Sequence, residues 1–134
     1  MTDNLDFQCA SHAKGIAEVI KEENTIGKTL GVLQEDGLYA FYLYSLALEK
    51  KSKYKDKARE IIHQSSKLLK KYELIANDNV TPENVRDIIA PLTNNLDELL
   101  FAKELIERTL VYARYHAKAL EKSESTVTSE GESE

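Results

Sequence analysis

NLDELLFAKELIERTLVYARYHAKALEK, residues 95–122, contains no proline and no glycine, and Ala, Leu, Lys and Glu, which cost least in a helix, supply most of it. Asn95 is a good N-cap and Glu98 stands three residues on, a capping box with Asn in place of Ser or Thr. Leu99, Ala102, Ile106, Leu110, Ala113, Ala117 and Leu120 recur at helical spacing on one face. A second track, Leu100, Phe101, Leu105, Val111, Tyr112 and Tyr115, widens that face, so packing against several other helices is expected. At 1.5 Å per residue the helix runs about 40 Å, the length of a small domain. It is the expected spine of the fold.

Upstream, the chain divides at its few helix breakers. Leu5, Cys9, Ala13, Ile16 and Ile20 predict a first helix over 4–23. Asn24 breaks that pattern, and Thr25 predicts a cap for a short helix over 26–35, stopped by Asp36-Gly37. Gly27 and Gly31, one turn apart, suggest close approach of another helix. LYAFYLYSLALEK, 38–50, predicts a third helix whose four aromatics read as core with Tyr hydroxyls at the surface, in preference to a base-stacking platform. Ser52 predicts the start of a fourth helix over 53–72, with Ala58, Ile61, Ile62, Ser65, Leu68, Leu69 and Tyr72 inward. Thr81-Pro82-Glu83 is a helix start, and Pro91 predicts an end near Ile89. The expected fold is all-α: a single compact bundle of five to six helices over 1–122, then a disordered acidic Ser/Glu-rich tail over 123–134.

The 134 residues suit one domain, which buries about two thirds of its surface on folding. Five Gly and two Pro are too few turn residues for an all-β domain. Cys9 is the only cysteine, which excludes an intrachain disulfide and a cysteine-rich zinc cluster and reads as a small buried hydrophobe. MTDNLDF lacks the basic and apolar regions of a secretion signal, and no apolar run is long enough to span a membrane, so a cytoplasmic location is expected.

The net charge of −5 hides a polarity. Four Glu of the tail account for most of it, leaving 18 basic and 19 acidic residues in the body. Residues 49–73 alone hold nine Lys or Arg against four acids, whereas 1–48 and 74–100 are each −4. Clustered cations suit sequence-independent contact with phosphates. The bland alternative is a solvated helix face that maintains solubility.

Catalytic templates find little to match. Gly27-Lys28-Thr29 has the end of a phosphate loop without its upstream glycine or strand. Glu60 and His63 form one Glu-x-x-His pair where a di-iron bundle needs two, so no metal site and no cofactor is expected. A small helical nuclease class carries an Arg followed, after four to six intervening residues, by a His. Here Arg59–His63, Arg108–His116 and Arg114–His116 all miss that spacing, so no catalytic residue is assigned.

Two segments go further. In NTIGKTLGVL, 24–33, Asn24, Thr29, Leu30 and Leu33 match an Asn-Gly-Leu-x-Gln-Thr-Leu-Ala-Phe-Leu run, with Ile26 close to its Leu. In LVYARYHAKAL, 110–120, Leu110, Arg114, Ala117 and Ala119 match Leu-x-Trp-x-Arg-Arg-Phe-Ala-x-Ala, with Tyr112 in place of Trp; Tyr115 and His116 depart from it. Both patterns belong to the small all-helical subunit of type III-B CRISPR effector complexes, which the chain also resembles in helix count, order and size. That resemblance implies a non-catalytic subunit of an antiviral ribonucleoprotein. Copies stack beside the backbone subunits and the large subunit and help form the groove for the guide RNA–target RNA duplex. Lys50, Lys51, Lys53, Lys55, Lys67, Lys70, Lys71 and Arg114 are the candidates for contact with nucleic acid. The alternative is a helical protein–protein adaptor without nucleic acid.

Overall fold

The computed structural model describes residues 4–133, and side-chain surroundings for residues 4–120. Asn4 opens the first helix, its Oδ1 accepting from the Asp6 and Phe7 amides at 2.9 and 3.3 Å. α1 spans Leu5–Ile20 and ends as Lys21 turns left-handed at φ 63°. α2 is Glu23–Asp36, and it begins before the expected Thr25 cap. Thr25 lies inside its first turn, where its hydroxyl donates to Glu22 Oε1 at 3.2 Å and caps no backbone amide. Gly37, at φ 97°, separates α2 from α3, Leu38–Glu49. A 3-10 turn, Ser52–Tyr54, precedes α4, Lys55–Lys71.

The segment that follows is anchored by Ile75 and Val80, both in the core. Thr81 and Asn84 then cap each other: the Thr81 amide donates to Asn84 Oδ1 at 2.7 Å, and the Asn84 amide donates to Thr81 Oγ1 at 3.3 Å. α5 is Val85–Thr93 and carries Pro91 inside it, so Pro91 does not end the helix near Ile89. Proline removes only the bond to the Asp87 carbonyl, and Asp87 faces solvent, where water can replace it. The Glu98 amide donates to Asn95 Oδ1 at 3.1 Å at the start of α6, Leu96–Ser133. The expected boundary at Lys122 and the disordered tail over 123–134 lie outside the residues with described side chains.

The helices form an all-α bundle, with no strand among the described residues. α6 packs along α1 and α2, while α4 packs along α1 and α3. Asp6 meets Arg108 and Tyr112, and Ala13 shares a groove with His116 and Ala119, so α1 and α6 run in the same direction. Glu23 meets Arg114 and Gln34 meets Glu107, so α2 returns against α6. Tyr42 meets Ser66 and Glu49 meets Arg59, so α4 returns against α3.

Ala102, Leu105, Ile106, Leu110, Ala113 and Ala117 of α6 are buried, as the spine reading requires. The second track is only partly covered: Leu100 is 53% and Tyr115 61% exposed, because no helix lies over the outer side of α6 there. Phe41 and Tyr42 are fully buried in edge-to-face contact at 5.1 Å, and the Tyr42 and Ser66 hydroxyls lie 3.0 Å apart. Of the four α3 aromatics, Phe41 and Tyr42 are thus core, the Tyr42 hydroxyl held inside instead of at the surface, while Tyr44 is half-buried and Tyr39 exposed. Cys9 is buried as well, its thiol 3.7 Å from the Leu105 carbonyl. No helix among the described residues is long and apolar enough to cross a membrane.

Candidate nucleic-acid interface

α4 sorts its residues by side. Ala58, Ile61, Ile62, Ser65, Ser66, Leu68 and Leu69 are buried. Lys55, Arg59, His63, Lys67 and Lys70, each four or three residues beyond the last, are exposed and share the outer side. The stripe is about 22 Å long at 1.5 Å per residue. Lys71 is exposed beside it. Lys50, Lys51 and Lys53, exposed in the turn between α3 and α4, extend the stripe past the helix start. Lys53 and Lys57 lean on the Tyr54 ring, 5.5 and 5.9 Å from its centre.

Arg59 and Lys57 of this region are held by carboxylates. Arg59 Nε donates to Glu49 Oε2 at 3.0 Å. Lys57 Nζ donates to Glu22 Oε1 at 2.8 Å, and that bond holds the Glu22 carboxyl below its ordinary pKa. Lys50, Lys51, Lys55, Lys67 and Lys70 make no ion pair among the described residues, leaving their ammonium groups to solvent or a ligand.

Arg114 does not join the stripe. It sits on α6 against α2, its Nε 3.7 Å from Glu23 Oε2 and its Cδ 3.6 Å from where a Cβ on Gly27 would stand. That distance is ordinary van der Waals contact and Gly31 faces open space, so neither glycine serves the expected close approach of a helix. The close approach that the sequence reading missed is at Gly15, where a Cβ would meet Gln64 Nε2 at 2.8 Å. Gln64 there accepts from His12 Nδ1 at 2.7 Å and donates to Glu60 at 2.7 Å. Because its Nε2 serves Glu60, Gln64 turns Oε1 to the ring, and His12 must carry its proton on Nδ1.

Arg59 and His63 were not assigned from sequence, although their four-residue spacing within the lysine stripe carries the signal. Both line an open hollow of about 370 Å³ with Glu49, Asp78 and Thr81. Arg59 is held by Glu49, Arg108 by Asp6 and Glu104, and Arg114 by Glu23. No Arg–His hydrogen bond forms among the described residues, and no group of three or more His, Cys, Asp or Glu gathers there to hold a metal.

The residues on which the expected resemblance rests divide between core and surface. Thr29, Leu30, Leu33, Leu110 and Ala117 are buried, while Asn24 and Ala119 are exposed and Arg114 is partly so. Most of the likeness therefore lies in packing positions. No family model, curated protein or solved structure matches the chain.

Proposed function

We propose that the protein is the non-catalytic small subunit of a cytoplasmic type III CRISPR effector complex, holding guide and target RNA by their backbones. The carrying observation is the α4 stripe: Lys55, Lys67 and Lys70, without an acidic partner among the described residues, aligned on a side that contributes nothing to the core. A helix anchored on one side and cationic on the other suits a phosphate chain, which needs charge at intervals rather than a shaped cavity. The two segment resemblances and the bundle's size point the same way.

Lys55→Glu/Lys67→Glu/Lys70→Glu tests the reading. All three side chains are exposed, so helicity and melting should stay close to wild type. Affinity for single-stranded and duplex RNA at 0.1 M salt should fall at least tenfold, with a shallower salt dependence. Unchanged affinity and slope would overturn the assignment in favour of the protein–protein adaptor. RNA cleavage abolished by His63→Ala would instead assign a nuclease to the Arg59–His63 hollow.

A further inference from the structure

The outer ridge of α6 holds a second arrangement suited to RNA. Arg114, Tyr115 and Lys118 lie within one turn, with Tyr115 61% exposed and Lys118 exposed. The Arg114 guanidinium is 5.9 Å from the Tyr115 ring centre. Tyr115 also stands on the rim of a groove of about 450 Å³ between α1 and α6, floored by Ala10, Ala13 and Ala119 and walled by Tyr112 and His116. Asp6, the one carboxylate lining the groove among the described residues, is occupied: Tyr112 donates to it at 2.5 Å and Arg108 at 3.3 Å.

We infer that Tyr115 and this groove accept one unstacked base of a single-stranded RNA, with Arg114 and Lys118 on the flanking phosphates. An aromatic side chain covers a base face without regard to sequence, and neighbouring cations keep the strand in place. The alanines leave a shallow, apolar floor, and His116 adds a second ring at the groove wall. This is a different surface from the α4 stripe and adds a base contact to a backbone contact. The inference rests on the RNA-binding reading above.

The chain has no tryptophan, so Tyr115→Trp introduces a single reporter at an exposed position. Titration with a twelve-residue oligoadenylate should quench the introduced indole, and polyphosphate of equal charge should not. Tyr115→Ala should weaken oligoadenylate binding about five- to tenfold and Tyr115→Phe should not, since stacking needs the ring alone. Oligoadenylate binding with no quench, equal quench by polyphosphate, or unchanged affinity in Tyr115→Ala would overturn the base site. The α4 reading would survive each of these, and the groove would pass to a partner-protein helix. Loss of all RNA binding by the wild-type protein would overturn both readings.

Discussion

His12 Nδ1 lies 2.7 Å from Gln64 Oε1 and joins the middle of α1 to the middle of α4 across Gly15. A Cβ at Gly15 would stand 2.8 Å from Gln64 Nε2, so Gly15→Ala must move that amide. The alanine gains about 1 kcal/mol of helix propensity, and the displaced hydrogen bond costs about as much. Gly15→Ala should therefore be near neutral in the wild type and stabilising by about 1 kcal/mol in a Gln64→Ala background. Urea melts of the four proteins of this cycle measure the difference. Equal effects in both backgrounds would mean that Gln64 does not feel the added methyl.

Gly31 and Gly37 should respond oppositely. Gly31 is inside α2 with nothing within 4 Å of an added Cβ, so Gly31→Ala should stabilise by about 0.5–1 kcal/mol. Gly37 has φ 97°, which alanine adopts only with strain, so Gly37→Ala should destabilise by about 1 kcal/mol or more. Thermal denaturation of the two variants checks the signs.

The Glu22–Lys57 pair sets a small acid dependence. Lys57 holds the folded-state pKa of Glu22 below the ordinary value of 4.5. A lowered carboxylate pKa stabilises the fold above the unfolded value, and that part is lost as pH falls through the folded value. Glu22 is half exposed, so solvent and salt limit the contribution to below about 1 kcal/mol. Lys57→Met should flatten stability between about pH 5 and 3, and 0.5 M salt should have the same effect on the wild type. A profile unchanged by either treatment would remove the pair from the acid response.

Neutralising the stripe should act in steps. Each lysine changed to glutamine among Lys55, Lys67 and Lys70 should reduce the slope of log affinity against log salt by about 0.7 for single-stranded RNA. Arg114→Gln should depart from that pattern, because it also releases Glu23. Filter binding from 50 to 300 mM salt reads both effects.

The sequence made the lysine stripe and the spine legible for one reason: both are helical periodicities, and burial obeys them at Ile61, Leu68, Ile106 and Leu110. The start of α2 was not legible because Lys21 makes the turn left-handed without glycine, asparagine or proline to announce it. Pro91 read as a terminus because its tolerance depends on the exposure of Asp87, which only the packed structure supplies. Leu100 and Tyr115 read as core because an apolar residue reveals its type and not its coverage. The last-helix resemblance groups Arg114 with the lysines as a contact candidate, and only the fold shows it against Glu23, at the α2 end.

Glu22 and Glu23 are consecutive, yet one holds Lys57 of α4 and the other holds Arg114 of α6. Two adjoining peptide units thus work as a clasp between the two ribs that bear the candidate RNA surfaces. A phosphate drawn to Arg114 meets a guanidinium that already has the Glu23 carboxylate 3.7 Å from its Nε, so capture on that side works against an anion already in place.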